Sequence, residues 1–374
     1  MQATESLPPP PPSPPSTLAD WLRLVSTPDV GLISAHKLLL DFSTPSAIFA
    51  AAEAGDARLD WMRAAQRRAL RSPPPDFAQT LEQVLTWSES PGNAVLTADH
   101  PAWPEALRHI PKAPLLLYVR GRLELLARPA LAMVGSRNAS AQGVATASRM
   151  AQAVADADVT VVSGLALGID AASHTGALRG PGGTIAVIGT GADLSYPVRN
   201  RALTQQIAEQ GCIVSEFGLG TPPTPDNFPR RNRIIAGLAK GVLVVEAAAK
   251  SGSLITARLA AAYGREVYAI PGSIHATLSK GCHTLIKEGA RLVEKVEEVL
   301  EDFNAQAPNY ARAQPDDSFV DRVLEAMGEH PAGAEQLAIL LKEEAAELQG
   351  QLLALELAGL VERLPGGMFQ RLHA

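Results

Sequence analysis

The sequence predicts an α/β protein built on a doubly wound, mostly parallel sheet, with a small helical domain before it and a winged-helix domain after it. Three observations carry that expectation. From about Val95 to Asp302, short continuous apolar runs alternate with helical stretches, the pattern of strands buried on both faces. From Thr17 to about Leu70 the apolar residues follow helical spacing. From Ser318 to Ala374 three short helical segments precede a hairpin pattern.

Size and charge limit what such a chain can do. Its 374 residues suit two or three domains, and 46% hydrophobic against 19% charged residues is enough to build real cores. With 33 basic and 39 acidic residues the formal charge is −6, so any nucleic-acid site has to be a local patch. Two cysteines, Cys212 and Cys282, make no disulfide framework, and no Cys/His cluster suggests zinc; no metal or cofactor is expected. No apolar run approaches the ~20 residues that span a bilayer. The N-terminus has neither a basic nor an apolar signal region, so a cytoplasmic protein with no membrane partner is expected.

Taken in order, residues 1–16 read as a disordered leader, because Pro8 to Pro15 are proline except for Ser13. Residues 17–90 form the helical domain, with apolar faces at Trp21, Leu22 and Val25, at Leu38, Leu39 and Phe42, and at Ile48 and Phe49. Within it, Thr27 to Ser34 resembles a helix–hairpin–helix turn whose amides can hold a DNA phosphate, although a bundle that merely packs is the simpler reading. Residues 91–303 form the core. Strands are expected at Leu131–Val134, Thr160–Ser163, Thr184–Ile188, Cys212–Ser215, Gly241–Glu246 and Glu266–Ile270, with helices at Ala141–Ala157, Arg199–Gln210 and Ser253–Tyr263. Residues 304–317 read as a linker. Residues 318–374 read as the winged helix, with helices Phe319–Met327, Ala334–Leu341 and Ala345–Ala358 and a hairpin turning at Pro365-Gly366-Gly367.

In an open α/β sheet, ligands sit beyond the carboxyl ends of the strands, and four loops there stand out. Gly135-Ser136-Arg137 leads from a strand into a helix, where glycine allows close approach, the helix N-terminus attracts anions and Arg137 adds a phosphate fork. Ser163 to Asp170 is a loop of small residues followed by His174; Asp170 reads as an N-cap and His174 as a packing or hydrogen-bonding residue. A long loop rich in proline and glycine ends in Asn227-Phe228-Pro229-Arg230-Arg231-Asn232-Arg233, which joins a stacking aromatic to three arginines. Arginine in a first helical turn opposes the helix dipole and makes sense when an anion compensates it. Finally, Lys250-Ser251-Gly252-Ser253 opens another helix without P-loop spacing, so nucleotide hydrolysis is not indicated. From Arg199 to Lys280 ten basic residues face five acidic ones, a local surplus of +5. The winged-helix segment instead carries nine acids against four bases, with Glu343, Glu344 and Glu347 about its would-be recognition helix, and reads as a protein-contact module.

Met133–Arg137, Ser163–Asp170, Tyr196-Pro197 with Asn200, Asn227–Leu238 and Ser251–Ala257, in that order, resemble the DprA/Smf family of DNA-processing proteins over about Ala94 to Asp302. The flanking regions are similar to that family's accessory domains, a SAM-like or helix–hairpin–helix-like domain and a winged helix. The resemblance implies a Rossmann-like core that is not an enzyme, binds single-stranded DNA without sequence preference, forms a homodimer and loads the RecA recombinase during natural transformation. It assigns the strand to Gly135, Ser136, Arg137, Asn227, Phe228, Arg230, Arg231, Asn232, Arg233, Lys250, Ser251 and Ser253. Where relatives commonly show Gly-Cys-Gly, this chain has Gly189-Thr190-Gly191, which argues against thiol chemistry there.

Two other readings compete. Pro181-Gly182-Gly183-Thr184 faintly resembles a motif of lysine-decarboxylase-like phosphoribohydrolases, but the motif's glutamate is missing and no general acid or base for glycosidic cleavage is evident. An adaptor working through its winged helix is a third reading, opposed by an arginine triplet for which packing offers no evident use.

Overall fold

The computed structural model describes residues 17–305, 317–328, 331–341 and 360–371 apart from 365–367, with isolated positions between 348 and 356. The expected leader, most of the linker, and the helix about Glu343, Glu344 and Glu347 lie outside the described residues. Contacts divide the chain into two units, Met1–Pro308 and Asn309–Ala374.

The first unit is organised by a nine-stranded sheet of β1 (Asn93–Thr97), β2 (Leu116–Gly121), β3 (Ala130–Val134), β4 (Thr160–Ser163), β5 (Thr184–Val187), β6 (Cys212–Ser215), β7 (Gly241–Val244), β8 (Glu266–Ala269) and β9 (Arg291–Leu292). Its order is β1-β2-β6-β5-β4-β3-β7-β8-β9. Strands β3 to β9 run parallel, while β2 pairs antiparallel with β6 and β1 antiparallel with β2. The chain steps outward from β3 through β6 and then returns to lay β7 on the other side of β3. A doubly wound sheet opens its ligand crevice at such a reversal.

Alternation along β3 explains why the sheet is covered twice. Leu131 and Met133 enter one core with Ala147, Met150, Ala151 and Val154 of the helix Ala141–Asp156. Ala130, Ala132 and Val134 enter the other, against Ile234, Ile235 and Leu238 of the helix Asn227–Leu238 and Leu254, Ala257 and Ala260 of the helix Ser253–Ala262. Successive side chains point to opposite faces, so an unbroken apolar strand needs both layers. The six expected strands are all present. β1, β2 and β9 were not expected.

The five N-terminal helices pack Trp21, Leu22, Leu38, Ile48 and Phe49 into a third core that also takes Leu115, Leu116 and Tyr118 from the β2 region. At Thr27–Ser34 the turn leads into the helix Leu32–Phe42, with Gly31 as an N-cap that makes no side-chain bond. The second unit pairs helices Asp317–Met327 and Ala334–Leu341 with a small antiparallel sheet of β10 (Ala332–Gly333), β11 (Val361–Leu364) and β12 (Met368–Arg371), ordered β10-β12-β11. Its core includes Val323, Leu337, Val361 and Phe369, the arrangement of a winged helix.

A groove at the carboxyl ends of the parallel strands

At the β3/β7 reversal lies an open groove of about 760 Å³. Nine of the residues singled out in the sequence line it: Gly135, Ser136, Arg137, Phe228, Arg231, Asn232, Lys250, Ser251 and Ser253. Asn227, Arg230 and Arg233 do not. Helix geometry separates them, because Phe228, Arg231, Asn232 and Ile235 stand at i, i+3, i+4 and i+7 on the groove side, whereas Arg230 and Arg233 share another face.

The absent three have partners elsewhere. Asn227 is buried and its Nδ2 donates to the Gly189 carbonyl at 3.1 Å. Arg230 is exposed, with its guanidinium carbon 5.4 Å from the centre of the Phe217 ring. Arg233 is buried in an ion pair with Glu216. Burial pushes the Glu216 carboxyl up and the Arg233 guanidinium down, each opposed by the charge of the other. The surplus of basic charge counted along the sequence is therefore partly internal.

Arg231 lines the groove but is only 5% exposed. Its Nη1 donates to the carbonyls of Gly164 and Val187, tying the ends of β4 and β5 to the helix, and its Nε donates to Asn232 Oδ1 at 2.9 Å. Burial brings the guanidinium down to about 10, with Asp170 opposing. The charge expected to be compensated by an anion is thus accommodated by the protein's own carbonyls and by Asp170.

The segment Gly164–Ala166 is clamped throughout. Asp170 Oδ2 accepts from the amides of Gly164 at 3.1 Å and Ala166 at 3.4 Å. His174 Nε2 accepts from the Leu165 amide at 3.2 Å, while its Nδ1 lies 2.7 Å from Thr184 Oγ1. Asn200 Nδ2 donates to the carbonyls of Leu165 and Ala166 at 2.9 and 3.2 Å. With Arg231 on the Gly164 carbonyl, each of the six backbone polar groups has a side-chain partner, as buried backbone requires. The clamp holds Leu165 at φ 57°, a left-handed conformation that costs a non-glycine residue of order 1–3 kcal/mol. Gly164 has to be glycine, because a Cβ there would lie 2.2 Å from the Arg231 guanidinium. Burial drives the His174 imidazole down to about 3, so it is a neutral acceptor. Desolvation pushes the Asp170 carboxyl up, while Arg231 and the two amides hold it back. Asp170, expected as a helix cap, instead fastens a loop; His174 is the hydrogen-bonding residue that was expected, and Asn200 belongs with them.

The turn after β3 is also closed from within. The Ser136 amide donates to the Glu246 carbonyl at 2.7 Å, and the Glu246 carboxylate accepts from the Ser140 amide at 2.9 Å and from Ser140 Oγ at 2.5 Å. Glu246 therefore occupies the helix end expected to receive an anion. What this turn offers the groove is the Arg137 side chain, exposed and 5.8 Å from the centre of the Phe228 ring. Phe228 in turn lies against Tyr196, with ring centres 5.6 Å apart. Across the groove, the helix Ser253–Ala262 begins at Gly252 with no side-chain cap, beside the exposed Lys250. Among the described residues, neither Arg137 nor Lys250 forms an ion pair.

Asp170 is the one carboxylate among the groove-lining residues, and it is committed to backbone amides. Pro181-Gly182-Gly183 precedes β5 at its amino end, the opposite rim from the groove. Cys212 and Cys282 are buried free thiols; desolvation pushes both up, Cys282 to about 11. No described group of three or more His, Cys, Asp or Glu could hold a metal ion, and no described helix is long and apolar enough to cross a membrane.

Comparison with known proteins matches this architecture. Residues 94–304 match the family model DNA recombination-mediator protein A, and residues 307–367 match the DprA winged helix domain. The chain is 42% identical to Protein Smf of Escherichia coli over 300 residues, covering 77% of this chain and 80% of Smf. It is similar to the X-ray structure of DNA processing protein A from Streptococcus pneumoniae, with 39% identity, TM-score 0.56, and coverage of 73% of this chain and 98% of that one. It is also similar to a structure of DNA processing protein A from Helicobacter pylori that concerns that protein's single-stranded DNA binding mode, with 28% identity, TM-score 0.52, and coverage of 56% and 95%. The chain belongs to the DprA/Smf family of DNA recombination-mediator proteins.

Proposed function

We propose that the groove binds single-stranded DNA without sequence preference and that the protein, as a homodimer, protects incoming strands and loads RecA onto them. One observation carries the binding step: two unpaired cations, Arg137 and Lys250, share the groove with an accessible aromatic, Phe228. Cations on phosphates and rings beneath bases are what sequence-tolerant single-strand binding requires. The relative from Helicobacter pylori, studied for its single-stranded DNA binding mode, supports the same ligand. Dimer formation and RecA loading rest on family resemblance. Asp170, the groove's carboxylate, is committed to the backbone, which supports a binding role over catalysis.

Arg137→Ala tests the assignment. The variant is expected to lose about tenfold in affinity for an unstructured oligonucleotide in fluorescence anisotropy. The slope of log affinity against log salt should become shallower by about 0.7, the share of one phosphate on a single strand. Wild-type affinity and salt slope in the variant would remove Arg137 from the site. RecA loading is tested separately, by filament formation on DNA coated with a single-strand binding protein, with and without this protein.

A further inference from the structure

The helical domain holds a second concave surface, which the groove does not use. Between the end of the helix Pro45–Ala54, the short turn Ala57–Leu59 and the helix Ala64–Arg71 lies an open cleft of about 340 Å³. Gln66 and Leu70 fix the last of these helices from within: both are buried, and Gln66 Nε2 donates to the Asp29 carbonyl at 2.8 Å. Helical spacing then turns Arg67, Arg68 and Arg71 outward, and all three line the cleft. Residues 17–90 carry seven basic and nine acidic side chains, yet five of those bases fall between Asp56 and Arg71, against two acids. Both acids are engaged. Asp56 accepts from the Arg58 amide at 2.8 Å and from its Nη2 at 2.7 Å, and Asp60 pairs with Arg67 Nη1 at 2.6 Å. Arg71 Nε donates to the Ala52 carbonyl at 3.1 Å, which leaves its two terminal nitrogens without a partner among the described residues. Arg68 is exposed and makes neither a hydrogen bond nor an ion pair among them. The last turn of a helix favours cations, so Arg68 and Arg71 need no anion in order to fold there and stay available for one.

We propose that this cleft holds backbone phosphates of nucleic acid, as a second contact separate from the groove. Guanidinium groups grip phosphate oxygens through paired N–H donors, and Arg68 and Arg71 both have donors to spare. The third, Arg67, is held by a carboxylate whose side chain is 72% exposed, and so weak a pair yields readily to a phosphate. No lining residue is aromatic, so the cleft has nothing on which to stack an unpaired base and takes single strands and duplexes alike. The groove, with Phe228, discriminates where the cleft does not. A site for a small phosphate ester buries most of its ligand, whereas Arg68 and Arg71 are exposed. A polymer that meets several such cations at once suits this surface better. Among phosphate-bearing polymers, the family's DNA-processing role selects DNA.

The test titrates the full-length protein at low salt with a blunt-ended duplex and with a short oligothymidine, read by fluorescence anisotropy. Arg68→Glu is expected to weaken duplex binding by at least about tenfold, and Arg68→Ala to make its salt slope shallower by about 0.9, the share of one phosphate on B-DNA. Both variants should bind the oligothymidine like wild type, and Arg137→Ala should do the reverse. Asp60→Asn, which frees Arg67 and removes a repelling charge, should bind the duplex more tightly, a gain that misfolding cannot produce. Lys287→Glu makes the same change of charge at an exposed residue that lines neither site, and should cost far less than Arg68→Glu. Wild-type duplex affinity in Arg68→Glu, or an equal loss in Lys287→Glu, would overturn the proposal, as would a wild type that leaves the duplex unbound. If Arg68→Glu lost only affinity for a phosphoserine peptide, the cleft would dock protein and the proposal would fall. If wild type bound the duplex but not the oligothymidine, the groove assignment would fail while the cleft assignment stood.

Discussion

The loops on the β3–β4 side of the groove and the loop after β7 use similar residues to opposite ends. Both sides carry a glycine–serine turn into a helix. On the β3–β4 side the protein consumes its own polar groups, with Glu246 closing one helix end and four buried side chains binding Gly164–Ala166. After β7, the helix Ser253–Ala262 has no cap from Gly252 and only a long bond, 3.4 Å, from its first amide to Ser251 Oγ, beside an unpaired lysine. One half of the site is scaffold and the other is open to a ligand. Substitutions in the first should therefore be read in stability, and those in the second in binding.

The largest effect is expected at Arg231. Arg231→Ala leaves the carbonyls of Gly164 and Val187 without their donor and Asp170 without its counter-charge. Leaving a buried acceptor unsatisfied costs about 1–3 kcal/mol, and two are left here. Urea unfolding should report that loss. If Arg231→Ala unfolded like wild type and lost only DNA affinity, Arg231 would belong to the open half.

Acid should act on the same scaffold through His174. Its folded value of about 3 lies below the ordinary 6.5, so below pH 6.5 the unfolded chain takes up a proton that the folded protein refuses. The contribution is complete above 6.5 and is lost as pH falls toward 3, at up to about 1.4 kcal/mol per pH unit. His174→Gln, which retains an acceptor for the Leu165 amide, should flatten the fall in unfolding free energy between pH 6 and pH 4. An unchanged pH profile would mean that His174 is not the neutral anchor described.

The same division governs what could be read from the sequence. Gly135-Ser136-Arg137, Phe228 and Lys250–Ser253 were legible because each occurs locally, at the end of an apolar strand. The sorting of Arg230 and Arg233 away from Phe228, Arg231 and Asn232 was also available, since a spacing of three and four residues defines a helix face, and a net charge along the segment hides it. Strand β2 had a signal as well, the run Leu115 to Val119 after Pro114. Glu246 had none, for it caps a serine 106 residues earlier in the chain. The inward course of Arg231 depends likewise on carbonyls 67 and 44 residues away, which no local pattern encodes.

The smallest effect on stability, and the sharpest contrast, is expected between Lys250→Ala and Glu246→Ala. Lys250 is exposed and has no ion pair, so its loss should move the urea midpoint by no more than an ordinary surface change, within about 0.5 kcal/mol. Its share of single-strand binding should nevertheless appear as a salt slope shallower by about 0.7. Glu246→Ala should do the reverse. It deletes two hydrogen bonds to a carboxylate, each worth about 1.5–3 kcal/mol, and should lower stability by that order. Its salt slope should not become shallower, because the lost charge is negative and faces the protein's own serine. If both variants changed the slope alike, the helix end behind Glu246 would be as available to DNA as the one beside Lys250, and the two halves would be one continuous anion site.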